Sequence, residues 1–163
     1  MNSPRNRIAP SFAPGTRYDT NPRLLVIAFA NSRGGYDLVT ADHKLIPRRE
    51  NPNQDEPFDS VKIAKGTLRL NMHEQFDAGG WRLGTTSFTF RWRDGAMRLI
   101  GFDRDAIIKG PGETEVISVK YPARRMVVTR GMMDASAPDR TETVTLPRKP
   151  LLKLEEVGGR FHV

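Results

Sequence analysis

The chain has 163 residues, carries 26 Lys+Arg against 19 Asp+Glu for a net charge of +7, and contains no cysteine. Its length suits one domain, and a domain of this size buries roughly 70% of the surface its unfolded chain exposes, so it folds without staples. The missing thiols exclude disulfides, thiolate metal sites and cysteine nucleophiles, while the positive surplus attracts acidic polymers, nucleic acid among them, through its field alone.

In chain order, residues 1–22 are rich in Pro, Asn, Arg and Ser and read as a flexible arm. Residues 23–163 read as a single all-β domain, an antiparallel sandwich or curved meander of short strands with few or no helices. "RLLVIAFA" (23–30) is a buried strand, too short to span a membrane and without the cleavage site of a signal peptide. "YDLVT" (36–40) is its hairpin partner, and 41–60 is a long polar loop with three prolines. "VKIAKGTLRLNMHEQF" (61–76) alternates as one strand with an irregularity at Gly66, and "DAGGW" (77–81) is a turn. Further strands follow at Val116–Tyr121, 124–130 and 143–147, and "KPLLKLEEVGG" closes the chain as a strand or one helical turn. Gly and Pro are spread throughout, and no apolar pattern of helical period outlasts two turns.

The clearest local signal is "FTFRWRDGAMRLIGFDR" (88–104). Asp-Gly between alternating runs marks a two-residue type I′ hairpin, since that turn needs φ > 0 at both central residues. The register then sets Arg93 against Ala96, Trp92 against Met97, Arg91 against Arg98 and Phe90 against Leu99. One face carries Phe88, Phe90, Trp92, Met97 and Leu99 and should be core, so that Trp92→Ala would cost roughly 3–5 kcal/mol. The other carries Thr89, Arg91, Arg93, Arg98 and Ile100. Arg91 opposite Arg98 is unfavourable by itself. It calls for solvent screening, a carboxylate from a neighbouring strand, or an anionic partner.

"VKYPARRMVVTR" (119–130) is the densest basic stretch, with Lys120, Arg124, Arg125 and Arg130 and no acid from Val116 to Arg130. On a strand Arg124 and Arg125 would point to opposite faces, and charges there also guard a sheet edge. Arg91, Arg93, Arg98, Lys120, Arg124 and Arg125 are therefore the candidate contacts for an anion or a partner. With the hairpin aromatics turned inward, nucleic-acid binding is disfavoured, because it needs stacking and basic groups on one exposed face.

Catalytic and metal signatures are missing from the sequence. His43, His73 and His162 lie far apart without a zinc spacing, no GxSxG or SxxK supports a Ser-His-Asp site, and there is no P-loop or GxGxxG. "KGPGET" (109–114) reads as a turn. Asp103 and Asp105 with Glu113 and Glu115 lack the calcium-loop pattern, and "NPNQDEPFD" (51–59) is a solvated loop with some potential for binding. No cofactor, catalytic residue or metal ligand is assigned.

Four segments in this order resemble a family of uncharacterised bacterial envelope proteins: "LIPRRENPNQDEPFDSVKIAKGTLRLNMH", "GGW" with the FxFRWxDG hairpin running into "LIGFD", "GETEVISVKYPARRM", and "LPRKPLLKLEEV". The resemblance covers residues 22–157 and supplies no catalytic residue. It implies a periplasmic or cell-envelope location. Members begin with an export signal and a calcium-loop-like strand, and this chain starts downstream of both, so a cytoplasmic location stands beside that expectation. The resulting expectation is a non-enzymatic envelope-type β domain that binds a protein partner or an acidic polymer such as a glycan through loops and basic strand faces. A hydrolase with a site in the 41–60 and 77–81 loops, and a nucleic-acid-binding domain, are the alternatives.

Overall fold

The structure, a computed structural model, describes residues 21, 23–48, 56–75, 82–108 and 112–158. The arm assigned to 1–22, apart from Asn21, lies outside them, as do the GGW turn, His162 and most of the 51–59 loop. Two Xaa-Gly pairs organise the strands. Lys65-Gly66 has φ of 50° and 71°, and Asp94-Gly95 has 49° and 71°. Both are left-handed pairs of the type I′ kind, whose twist matches that of the strands they join. The Gly66 irregularity of the sequence reading is therefore a second hairpin turn, joining two strands where one was expected.

Among the described residues there are nine strands, β1 (Leu25–Ala30), β2 (Tyr36–Asp42), β3 (Phe58–Ala64), β4 (Thr67–Gln75), β5 (Arg82–Arg93), β6 (Ala96–Ile108), β7 (Glu113–Lys120), β8 (Arg125–Met132) and β9 (Arg140–Thr145), followed by one helical turn, α1 (Leu154–Val157). β3 to β9 form an open antiparallel meander in sequential order, and β1 and β2 pair as a separate hairpin. The all-β reading holds, and the terminal segment takes its helical alternative.

The core follows from register. Leu70, Phe88, Phe102, Val119, Met126 and Val144 stand opposite one another along one row across β4 to β9, so they share a face. Leu68, Phe90 and Leu99 form the next row. The two rows meet because β6 carries a bulge: Thr89 pairs with Gly101 but Phe90 with Leu99, leaving Ile100 as the extra residue. The bulge flips the alternation, which puts both Leu99 and Phe102 inward. Ile100 is thus the bulged residue and has no cross-strand partner, a correction to its place beside Arg98 on the outward face.

Ile27, Leu45, Ile46, Leu154 and Val157 cover this face. The segment after β2 was expected to be a polar loop, yet it supplies two of those side chains. The Asp42 carboxylate explains the turn: Oδ1 accepts the amides of Lys44 at 2.9 Å and Leu45 at 2.7 Å, which swings Leu45 and Ile46 into the core. β7 pairs with β6 only from Gly101 onward. The exposed stretch of β6 edge is taken by the C-terminal segment, where the Leu99 amide donates to the Leu152 carbonyl at 2.9 Å. Glu156 accepts the Lys153 amide at 2.7 Å and so closes the start of α1, and the Thr40 hydroxyl donates to Glu155, tying α1 to β2.

The hairpin register falls as the Asp-Gly signal predicts, from Arg93 opposite Ala96 to Phe90 opposite Leu99. Phe88, Phe90, Met97 and Leu99 are buried. Trp92 is not: it is 42% exposed and packs edge-on against Phe29, ring centroids 5.1 Å apart. It lies one residue from the end of β5, beside the end of β1, where little of the covering layer remains.

Candidate anion-binding face

On the side of the meander opposite the core, Leu83, Ile107 and Val116 lie towards one end and the polar rows towards the other, and these rows again come from register. Ser60, Asn71, Ser87, Asp103 and Ser118 stand in line across β3 to β7. Their side chains bond along the row. Asn71 donates to the Ser60 hydroxyl at 2.9 Å and accepts from Ser87 at 2.7 Å, and Ser118 donates to Asp103 at 2.8 Å. This row fixes the floor of the face.

Beside it run Lys62, Arg69, Thr89, Gly101, Lys120 and Arg125. With strands about 4.8 Å apart, Lys62 and Arg125 are separated by about 24 Å along the row. The third row holds Thr67, Arg91 and Arg98, with Arg93 two residues beyond Arg91 on the same side of β5. Three cross-strand pairs thus set cation directly against cation: Lys62 with Arg69, Arg91 with Arg98, and Lys120 with Arg125. Each is unfavourable in isolation, because like charges opposed on one face repel.

Two of these cations are spoken for. Arg69 pairs with Asp103 at 2.9 Å, both about 40% exposed, in a geometry that contributes little to stability. The Arg98 guanidinium donates to the Leu151 carbonyl at 3.1 Å. The answer to the Arg91–Arg98 question is therefore a backbone oxygen from the C-terminal segment, which satisfies one of the pair. Lys62, Arg91, Arg93, Lys120 and Arg125 are exposed and have no carboxylate partner among the described residues.

Of the candidate residues, Arg91, Arg93, Arg98, Lys120 and Arg125 come together on this face. Arg124 does not belong to a strand: it ends the Tyr121–Arg124 turn at φ 52°, its amide bonded to the Tyr121 carbonyl at 2.9 Å, so the opposite-faces expectation does not apply to it. Lys62 and Arg69 join the face and were missed. Taking Lys65-Gly66 as a type I′ turn would have found them, since that register opposes the two.

Arg130 lies on the other side of the sheet, in an ion cluster. Glu115 accepts from Arg104 at 2.7 Å and from Arg130 at 3.0 Å, and the Arg104 and Glu115 side chains are each 14% exposed. Burial by itself would raise the Glu115 pKa, but the hydrogen bonds and charges of the two arginines outweigh it and hold the carboxyl below its ordinary value. The same register separates the acids weighed for calcium. Asp103 and Asp105 point outward, whereas Glu113 and Glu115 stand on the core side. No group of three His, Asp or Glu among the described residues could hold a metal ion. His73 lies 3.7 Å from Asp59, and no described helix is long and apolar enough to cross a membrane. Of the loops offered for a hydrolase site, 49–55 and all of 77–81 lie outside the described residues, while 41–48 and 56–60 lie within them.

Comparison with protein-family models, curated proteins and solved structures finds no match.

Proposed function

We propose that this protein is a non-enzymatic, bacterial envelope-type β domain that binds an acidic polymer, a glycan in the first instance, along the outward face of its meander. The observation that carries the reading is the set of three opposed cation pairs on one side of the sheet. A sheet serving only as scaffold gains nothing from such pairs, whereas a polyanion laid across the strands turns each repulsion into an attraction. The hydrogen-bonded Ser-Asn-Ser row beside the cations adds the hydroxyl and amide groups that recognise sugar hydroxyls.

Glycan is favoured over nucleic acid by what the rows omit. From Ser60 to Arg125 the outward positions named above include no aromatic side chain, so bases would find charge but no stacking platform. Of the aromatic residues of the same hairpin, Phe88, Phe90 and Phe102 are buried on the far side, and the half-exposed Trp92 packs there against Phe29.

The test is titration with a soluble polyuronate at low and rising salt, with duplex DNA at an equal concentration of anionic charge as the second arm. The wild type should bind the polyuronate, and binding should weaken steeply as salt rises. Lys120→Glu, which replaces a repulsive pair with an attractive one opposite Arg125, should fold and bind more weakly. Equal binding by that variant, or no binding at low salt, would sink the proposal. Tighter binding to DNA would move it to nucleic acid.

A further inference from the structure

The β1–β2 hairpin covers the core with one face only. Its inward positions are Leu25, Ile27 and Phe29 on β1, with Asp42, Thr40 and Asp37 opposite them on β2. Its outward positions are Val26, Ala28 and Ala30 on β1 and Ala41, Leu38 and Tyr36 on β2, all exposed. None carries a charge, and the large ones are open to solvent: Tyr36 76%, Leu38 67% and Val26 53%, with Leu24 at 62% beside them. A contiguous apolar surface on the order of several hundred Å² marks an interaction site; other exposed apolar side chains, Ile63 at 80% and Met133 at 67% among them, lie away from this hairpin.

The relief of this surface is ordered. Each cross-strand pair joins a large residue to an alanine: Val26 with Ala41, Leu38 with Ala28, Tyr36 with Ala30. β2 therefore carries a ridge of Tyr36 and Leu38 beside a trough floored by Ala28 and Ala30 on β1. Rotation by 180° about an axis parallel to the strands, above the middle of the hairpin, lays β2 of a second copy over β1 of the first. It keeps every pair at the same level. Tyr36 then sits over the partner's Ala30, Leu38 over the partner's Ala28, and Val26 over the partner's Ala41. All three steps interlock, large on small, as two sheets stacked about 10 Å apart require.

We propose that the outward face of the β1–β2 hairpin is a self-association surface, on which a second copy of this chain stacks about that two-fold axis. Charge favours the choice. Two copies at +7 repel wherever their basic faces meet, and this surface carries no charge for the repulsion to act through. The patch is smaller than the ~800 Å² per partner of a standard stable interface, so the dimer belongs to the weak, micromolar class. The inference stands apart from the polyanion reading, which uses the opposite side of the molecule's main sheet.

Sedimentation velocity across the micromolar range, on the full chain without polyanion, tests it. The wild type should shift from monomer to dimer with concentration. Leu38→Asp and Ala28→Lys, each checked for an intact β spectrum and melting transition, should remain monomeric when alone. Mixed together they should associate, because the stacking sets the introduced carboxylate over the introduced ammonium. A wild type that stays monomeric throughout overturns the proposal, as does a Leu38→Asp variant that dimerises like the wild type. A mixture that fails to associate overturns the two-fold stacking.

Discussion

Arg91 stands directly opposite Arg98 across the β5–β6 pair, and the two meet different fates: Arg98 donates to the Leu151 carbonyl at 3.1 Å, while Arg91 is exposed with no carboxylate partner among the described residues. One member of a repulsive pair is thus built into the fold, and the other is left available. Arg91→Thr should be neutral or stabilising by about 0.5 kcal/mol, since it relieves the repulsion and favours the strand. It should also lower polyuronate affinity. Arg98→Ala should cost about 1 kcal/mol through the lost hydrogen bond. Chemical denaturation and the titration, run on both variants, separate the two roles; equal stability losses would contradict them.

Trp92 and Phe90 lie on the same face of β5, yet Trp92 is 42% exposed and Phe90 is fully buried. Phe90→Ala should destabilise by about 3–5 kcal/mol. Trp92→Ala should cost only about 1–2 kcal/mol, for a half-open site and its edge-on contact with Phe29. Urea melts of the two variants decide it, and a Trp92→Ala loss as large as that of Phe90→Ala would return Trp92 to the core.

Glu115 is held ionised by Arg104 and Arg130, so its folded pKa lies below its unfolded one. The stability it contributes is present above the ordinary Glu value of about 4.3 and is lost as pH falls through the depressed folded value. Glu115→Gln should cost about 2 kcal/mol at neutral pH, because Arg104 keeps only 14% exposure and loses its counter-charge. Its deficit should shrink in acid. Melting temperatures from neutral pH to pH 3 check this, and a pH-independent deficit would count against the ion cluster.

Lys65 occupies a left-handed position at φ 50°, next to Gly66 at 71°. Lysine pays a steric cost there that asparagine largely avoids. Lys65→Asn should raise stability by about 0.5 kcal/mol, and Gly66→Ala should lower it by about 1 kcal/mol. Thermal unfolding of the pair reads the turn directly.

The parts governed by local rules were legible in the residues alone. Asp94-Gly95 determined a turn, the turn determined a register, and the register determined that Arg91 opposes Arg98 and that Phe88, Phe90, Met97 and Leu99 turn inward. Period-2 patterning determined the all-β class. The rest depends on which surfaces meet when the strands assemble. Lys62 and Arg69 belong to the β3–β4 pair and Lys120 and Arg125 to the β7–β8 pair, and a single row forms from them only once the meander stacks its strands in order. The bulge at Ile100 is invisible locally because one added residue leaves the apolar pattern readable in either phase. Exposure was decided last of all. "RLLVIAFA" reads as a buried strand, but half its side chains face away from the core, because a two-stranded hairpin laid over a sheet has only one side to bury.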